Sequence, residues 1–303
     1  MIVISGIRGW LGNSAVNVLV DDLSIHPNEI VGIGSQRNIE KIGNHSYEVK
    51  TWEDIARDIK DVQLFLHFGF LTRDKVAKLS FEEYLRRNRE ITNQALDFIR
   101  INSPKAVVNI SSGAVFDAPT FTELTNDVTR NPYGFLKLEE ERRLQELCKE
   151  KNIGIVINRL WGLSGSDVKN KAPYALYEFI RKAQENEVIE IQSKNLVFRR
   201  YVNDRQLMRL LLKLGLKSES LLFDSGGPLI EVEDLARLVV RTLKSRSNIL
   251  KRHVDPKVIK DEYYSKNSKF EEIFALNMNE TLLSLEEQII LSASGSKNVN
   301  GGI

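Results

Sequence analysis

A glycine-rich turn lies close to the start of the chain, between a short apolar run and a segment with helical periodicity. Ile2-Val3-Ile4 predicts a brief buried strand, and 13–23 has the apolar spacing of a helix. Small residues between them let the backbone bend sharply and approach a pyrophosphate at the helix N-terminus. The turn therefore predicts a dinucleotide site. Its candidate binding residues are Gly6, Arg8, Gly9, Trp10, Leu11 and Gly12.

Short apolar runs alternate with amphipathic segments through the first half of the chain, which is typical of a parallel sheet covered by helices. We predict further strands at 29–33, 46–49, 62–68, 106–110 and 153–158. Long helices are predicted at 81–101 and 132–151. Shorter helices are predicted at 174–185, 204–216, 233–243 and 284–292, with short strands at 188–191 and 221–223.

This pattern predicts an α/β fold: a doubly wound, Rossmann-like parallel sheet with a smaller C-terminal substrate-binding lobe. The predicted division is a cofactor-binding domain at 1–160 and a lobe at 161–293, some segments of which return to the sheet. The Gly/Ser/Asn-rich end, 294–303, predicts a disordered tail.

Composition narrows the class of protein. The 303 residues carry a net charge of +2 and are 42% hydrophobic, which argues against a disordered chain and against general nucleic-acid binding. A single cysteine, Cys148, excludes a disulfide framework, and the four histidines show no metal-ligand spacing. No run approaches the roughly 18 apolar residues of a membrane span. We expect a cytoplasmic protein with no metal and no membrane partner.

The end of the second strand bears on cofactor choice. An NAD site usually places a carboxylate there to bind the ribose 2′-hydroxyl. This chain has Gly34, Ser35, Gln36 and Arg37 instead. Hydroxyl and guanidinium donors suit a 2′-phosphate, and Arg8 is close enough in the turn to join them. The alternative is that both arginines are ordinary surface residues. The pattern favours NADP(H) over NAD.

Tyr133 and Lys137 form a Tyr-x-x-x-Lys pair near the start of the second long helix. This spacing puts both side chains on one face, where an ammonium lowers the pKa of the tyrosine. Ser112, at the end of the preceding strand, offers a hydroxyl to a substrate carbonyl oxygen. The charge run from Glu139 to Arg143 is interpreted as the solvated face of that helix.

The chain resembles the extended short-chain dehydrogenase/reductase family, in the epimerase/dehydratase branch that acts on nucleotide sugars. The resemblance rests on the glycine turn, Leu66-His67-Phe68-Gly69, Asn88, the Ser111–Phe116 run and Tyr133 to Lys137. It continues through Arg159-Leu160-Trp161-Gly162, Arg199-Arg200-Tyr201 and Asp224-Ser225-Gly226-Gly227. Two departures stand out: Arg205-Gln206 replaces a common acidic pair, and Gly69-Phe70 replaces a pair of small residues.

The resemblance implies a role for each matching residue. Tyr133 would exchange a proton with the reacting carbonyl, and Lys137 would tune Tyr133 and bind the nicotinamide ribose. Ser112 would hold the substrate oxygen, and Asn88 would support a proton relay. The remaining assignments are His67 beside the cofactor, Arg199 on the nucleotide diphosphate of the substrate, and a homodimer through the two long helices.

Three functions remain open at this point. Gly113-Ala114 follows Ser112, where a 4,6-dehydratase has an acid and a base, and no cysteine stands there to catalyse epimerisation beside the ketone. NADP-type features and the complete Ser/Tyr/Lys set favour NADPH-dependent reduction of a nucleotide-linked 4-keto-deoxysugar. The alternatives are a nucleotide-sugar 4-epimerase with tightly bound cofactor and a non-catalytic NADP(H)-sensing protein.

Overall fold

The computed structural model describes residues 1–76, 78–117, 122–124, 128–168, 174–250 and 260–294. The strands in this part of the chain are β1 (Ile2–Ser5), β2 (Ile30–Ile33), β3 (Asn38–Ile42), β4 (His45–Lys50), β5 (Leu64–His67), β6 (Ala106–Ser112), β7 (Phe116–Asp117), β8 (Thr122–Glu123), β9 (Gly154–Leu160), β10 (Leu163–Ser164), β11 (Ile189–Glu190), β12 (Val197–Arg200), β13 (Val202–Asn203), β14 (Leu221–Asp224), β15 (Leu229–Glu231), β16 (Ile249–Leu250) and β17 (Asp261–Tyr263).

The α-helices of the same ranges are α1 (Trp10–Asn17), α2 (Trp52–Asp58), α3 (Phe81–Asn102), α4 (Pro132–Glu150), α5 (Ala175–Glu185), α6 (Asp204–Leu216), α7 (Val232–Thr242), α8 (Phe270–Asn277) and α9 (Leu285–Ser294). The helix predicted at 13–23 is thus shorter and begins three residues earlier, directly after the glycine turn. A π-helical turn, Val18–Asp22, follows it. None of these helices is long and apolar enough to cross a membrane.

The chain divides into two compact units, Met1–Leu160 with Met208–Phe223, and Trp161–Leu207 with Asp224–Ile303. In the first unit, the central sheet has the strand order β14-β9-β6-β5-β1-β2-β4-β3. β1 pairs in parallel with both β2 and β5, and the parallel pairing continues outwards through β4 on one side and through β6 and β9 on the other. This is the predicted doubly wound α/β fold.

Apolar strand residues explain why this sheet forms. Every residue of β1, β2, β5 and β6 is buried, as expected for parallel strands covered on both faces. The strand order reverses between β1 and β5, so the carboxyl ends of these two strands flank the crevice where open α/β sheets bind ligands. The glycine turn follows β1, and His67 ends β5, so both lie at that crevice.

The connection from β2 to β4 is a strand rather than a helix, which the sequence analysis did not predict. β3 pairs antiparallel with β4, from Asn38 opposite Val49 to Ile42 opposite His45. The turn between them contains Gly43 at φ +58°, followed by Asn44. A two-residue Gly-Asn turn is a signal for a hairpin. An edge strand has a partner strand on one side only and can therefore be polar. Because the sequence of β3 is polar, hydropathy did not predict β3 as a strand.

The second unit has its own apolar core, built largely by α5, α7 and α9, with Ile180, Val239 and Ile289 fully buried. Small sheets surround it, in the orders β10-β13, β11-β16 and β15-β12-β17. The sequence analysis did not predict α8, and α9 extends two residues beyond the predicted helix end. Residues 295–303, which form nearly all of the predicted tail, lie outside the described ranges.

Candidate functional site

The glycine turn leaves no room for side chains where the backbone doubles back. Gly6 has φ +73°, and a Cβ on Gly12 would lie 2.4 Å from the Gly6 carbonyl oxygen. The Gly9 amide donates to the same oxygen at 2.9 Å, and α1 begins at the next residue. Trp10 and Leu11 lie half-buried in the first turn of α1. This cradle fits a dinucleotide pyrophosphate, because it lets an anion approach the backbone at the N-terminus of α1.

The side chains predicted to bind a 2′-phosphate lie in separate ion pairs. Nε of Arg37 donates to Oδ2 of Asp54 at 2.6 Å, and its second nitrogen contacts the other carboxylate oxygen. The paired guanidinium and the Thr51 hydroxyl hold the pKa of Asp54 well below its usual range. Nε of Arg8 lies 3.2 Å from Oε2 of Glu40 on β3. Ser35 is exposed at the end of β2. The sequence analysis missed both carboxylates, which belong to elements that follow β2.

Ser112 and Tyr133 come together where β6 ends and α4 begins. Asn131 caps α4 by accepting the Gly134 amide at 3.0 Å, and its own amide donates to the Ala114 carbonyl at 2.9 Å. A Cβ on Gly134 would lie 1.9 Å from that carbonyl oxygen. The start of the helix is thus fixed against the turn after β6. The Ser112 hydroxyl accepts the Ala114 amide at 3.2 Å and also hydrogen-bonds Tyr133.

The pKa of Tyr133 is raised, opposite to the direction predicted from the Tyr-x-x-x-Lys spacing. Burial is the main cause, and the Glu140 carboxylate acts in the same direction. The hydrogen bond with Ser112 and the charge of Arg73 act against them. Tyr133 is therefore a neutral phenol at neutral pH. The Tyr-x-x-x-Lys spacing gave the wrong direction because it reports neither the burial of the phenol, which disfavours the phenolate, nor the effect of the Glu140 carboxylate.

Lys137 is buried and fully engaged. Its Nζ donates to the Ile110 carbonyl at 2.9 Å and to Oε2 of Glu140 at 2.9 Å. The Phe70 ring covers the same nitrogen, with its centroid 3.8 Å away, and meets the Tyr133 ring edge-on at 5.8 Å. Phe70 thus lies against both members of the Tyr/Lys pair.

A buried polar chain continues from Lys137 towards the glycine turn. Oε1 of Glu140 lies 3.0 Å from Nε2 of His67, and Nδ1 of His67 lies 2.7 Å from Oγ of Ser5. The Gly69 amide also donates to Oγ of Ser5, which joins this chain to the segment after β5. The pKa of Glu140 is about 2 although burial raises it, because Lys137 and His67 favour the carboxylate.

Two glutamates in the predicted solvated run of α4 are buried, so that interpretation is wrong for Glu140 and Glu141. Glu140 is fully buried beneath Lys137, and Glu141 forms a buried ion pair with Arg159 at 2.7 Å. Glu139, by contrast, pairs with Arg89 nearer the surface. The missed signal is helical spacing, because positions three and four after Lys137 lie on the same face as Lys137 itself.

Asn88 lies beneath the segment that follows β5. Its side-chain oxygen accepts the Leu71 amide at 2.8 Å, and its amide donates to the carbonyls of Leu71 and Tyr84. The Tyr84 hydroxyl donates to the Leu71 carbonyl at 2.8 Å. Asn88 therefore anchors the backbone beside Phe70. The relay role implied by the resemblance stays a prediction.

Arg199 lies in the second unit, on β12. Its guanidinium binds both carboxylate oxygens of Asp261 at 3.1 Å and lies over the Tyr263 ring. A role on the diphosphate of a substrate stays a prediction. Among the described residues, no group of His, Cys, Asp and Glu side chains is arranged to hold a metal ion.

A family model for the NAD dependent epimerase/dehydratase family matches residues 2–254. The chain belongs to this family. Its members are enzymes of the short-chain dehydrogenase/reductase type, as the resemblance predicted. No protein among the curated sequences matches the chain.

Solved structures of similar fold extend over nearly all of the chain. A UDP-N-acetylglucosamine 4-epimerase from Methanobrevibacter ruminantium, in complex with UDP-N-acetylmuramic acid, is 17% identical with a TM-score of 0.76, covering 98% of each chain. A UDP-glucose 4-epimerase from Thermotoga maritima is 17% identical, with a TM-score of 0.73 over 98% of each chain. A dTDP-glucose 4,6-dehydratase double mutant from Streptomyces venezuelae, with NAD bound, is 14% identical with a TM-score of 0.73, covering 99% of this chain and 98% of that one. At these identities the likeness establishes the fold.

Proposed function

We propose that this protein reduces a nucleotide-linked 4-keto-deoxysugar with NADPH, with Ser112 holding the keto oxygen and Tyr133 protonating it. The observation that carries the proposal is the Ser112–Tyr133 pair at the carboxyl edge of the sheet, with Tyr133 held as a neutral phenol. A neutral phenol has a proton to give, which is what reduction of a carbonyl requires. Gly113 and Ala114 supply no acid or base for eliminating water.

Each side chain of the site has its own role in the proposed reduction. Ser112 orients the keto oxygen, and Tyr133 delivers its proton to that oxygen as the alcohol forms. Lys137 lies beside Tyr133 to bind the nicotinamide ribose, and the cradle of Gly6, Gly9 and Gly12 would hold the pyrophosphate. The reduced nicotinamide, when bound, supplies the hydride.

NADP(H) is our proposed cofactor, with Ser35, Arg37 and Arg8 on the 2′-phosphate and His67 beneath the nicotinamide side of the site. The residues after β2 support it, because no carboxylate stands between Gly34 and Arg37. On binding, the 2′-phosphate would replace Asp54 as the ion-pair partner of Arg37. Arg37 can make that exchange because its side chain is 75% exposed.

The substrate proposal is a nucleoside diphosphate sugar whose diphosphate is bound by Arg199. Similar structures support the substrate class, since they are enzymes named for nucleotide sugars. Arg199 would exchange its contact with Asp261 for the diphosphate. The cytoplasmic location expected from the sequence stays part of this proposal.

A homodimer through α3 and α4 also belongs to the proposal. The outward side of these helices is charged: Arg86 pairs with Glu90, and Glu139 with Arg89 and Arg143. A dimer built on such a surface should dissociate as salt rises, because exposed charges are screened. Sedimentation at low and high salt tests this, and a monomer under all conditions would contradict it.

The second candidate is a nucleotide-sugar 4-epimerase. It is favoured by two of the similar structures, which are of nucleotide-sugar 4-epimerases. Such an enzyme would purify with cofactor bound and would interconvert two sugars with no added reductant. Retention of both Tyr133 and Lys137 fits either enzyme and argues against a cofactor-sensing protein.

The deciding experiment measures NADPH oxidation with dTDP- and UDP-linked 4-keto-6-deoxysugars, with NADH in parallel. We expect NADPH consumption, and a loss of roughly 10²–10⁴-fold in rate in Tyr133→Phe. Tyr264→Phe, which changes a tyrosine of the second unit, is the matched control. Sugar interconversion without reductant would replace the proposal by the epimerase. Cofactor binding with neither activity would leave the sensor.

A further inference from the structure

We propose that Glu140 is a positioning residue that fixes Lys137 and cancels its charge at Tyr133, keeping Tyr133 a proton donor. This inference rests on the proposed function, in which Tyr133 donates a proton. It assigns a role to Glu140, a buried carboxylate of α4 that belongs neither to the glycine turn nor to the Ser/Tyr/Lys set.

Three hydrogen-bonding partners hold the carboxylate of Glu140 in one position. Oε2 accepts from Nζ of Lys137 at 2.9 Å and from the Asn109 amide at 3.3 Å, while Oε1 lies 3.0 Å from Nε2 of His67. Asn109 also donates to the His67 carbonyl at 3.3 Å. The carboxylate is completely buried. A group bound by three donors from α4, β6 and β5 is rigid, so it holds the ammonium of Lys137 in one place.

The charges of Lys137 and Glu140 offset each other near Tyr133. Lys137 contributes one positive charge and Glu140 one negative charge, both buried in the same helix. Arg73 is the remaining charged group acting on Tyr133, and Tyr84 is an uncharged phenol on α3. Lys137 therefore does not drive Tyr133 to the phenolate while Glu140 is ionised.

Glu140→Gln tests this directly, because glutamine keeps the size and hydrogen-bonding capacity but removes the charge. The ammonium of Lys137 then acts on Tyr133 without a counter-ion. We expect the pKa of Tyr133 to fall by about one unit or more, as is usual for a charge within a few ångströms. Reduction should lose activity at a correspondingly lower pH. Glu139→Gln, one position earlier on α4, is the matched control and should leave the profile unchanged.

Phenolate absorbance gives a measurement that needs no substrate. The difference between each protein and the same protein carrying Tyr133→Phe is the titration of Tyr133 alone. A titration that moves down in Glu140→Gln supports the proposal, whether or not a keto sugar is reduced. An unchanged titration overturns the proposal, even if reduction is established. Failure of the proposed function is therefore distinguishable from failure of this inference.

Glu140→Asp covers the case in which the glutamine variant does not fold. Aspartate keeps the charge, but its shorter side chain cannot reach both Lys137 and His67. We expect at least a tenfold loss in kcat with the pH profile of the unchanged protein. Full kcat in Glu140→Asp would overturn the positioning role, and circular dichroism would verify that the variant is folded.

Discussion

The aromatic ring of Phe70 covers the ammonium of Lys137, with Nζ 3.8 Å from the ring centroid. Gly69-Phe70 replaces the pair of small residues that is usual in the family that the chain resembles, and this departure predicted a pocket of altered shape. The structure adds that the ring lies against Tyr133 as well. Lys137 therefore has two donors engaged by oxygens and its remaining side facing an aromatic ring.

Replacing Phe70 by alanine should strengthen cofactor binding. A buried cation–π contact contributes roughly 1–2 kcal/mol, and under the proposed role of Lys137 the nicotinamide ribose would have to displace it. We expect the Kd for NADPH to fall by about 5- to 30-fold in Phe70→Ala, measured by fluorescence titration. Phe70→Leu separates the two possible causes, because leucine retains bulk without a π face. Weaker binding in both variants would mean that the ring contacts the cofactor favourably.

The Arg37–Asp54 pair predicts how cofactor preference can be changed. Arg37→Ala should weaken NADPH binding about tenfold or more, with little effect on NADH, because only the phosphate uses a charged donor. Asp54→Asn should raise preference for NADPH by releasing Arg37, although it also removes part of the cap of α2. Arg100→Ala, an exposed arginine of α3, is the control. Loss of NADH binding in Asp54→Asn would identify Asp54 as the ribose ligand.

The ion pair between Glu141 and Arg159 predicts a large effect on stability. Glu141 is 1% exposed, so Glu141→Gln leaves the Arg159 charge buried and should lower the free energy of unfolding by about 3–5 kcal/mol. Glu123 also contacts Arg159 but is 43% exposed, and Glu123→Gln should cost no more than about 1 kcal/mol. Urea unfolding of the two variants provides the comparison. Equal effects would contradict this account.

Two glycines of the first turn should respond differently to alanine. A Cβ on Gly12 meets backbone at 2.4 Å, so Gly12→Ala should unfold at lower temperature and lose cofactor binding. A Cβ on Gly9 comes no closer than 3.2 Å, so Gly9→Ala should keep its Tm while binding cofactor more weakly. Differential scanning fluorimetry with and without NADPH measures both quantities. A large loss of Tm in Gly9→Ala would show that Gly9 is needed for folding rather than for the ligand.

The fold was predictable wherever sequence periodicity reports burial. The strands β1, β2 and β5 at the centre of the sheet are largely apolar runs, and α3 and α4 were predicted to within one residue at each end. The failures have a common cause. β3 is a polar edge strand, and Glu140 and Glu141 are glutamates buried in ion pairs, so local hydropathy predicted neither the strand nor the burial of the two side chains. Likewise, the direction of the Tyr133 pKa shift depended mainly on burial and also on the Glu140 carboxylate, which the Tyr-x-x-x-Lys spacing does not reveal.

The edge strand β3 has a consequence for how this chain behaves at high concentration. If a helix connected β2 to β4, then β4 would be the edge strand of the sheet. In this chain β3 is the edge strand, and it presents a row of backbone groups to the outside. Such a row is a template on which another molecule could add a strand. Glu40 and Lys41 place opposite charges side by side on β3, and β3 is only five residues long. The chain can therefore end its sheet in an open strand while discouraging the growth of fibres from it.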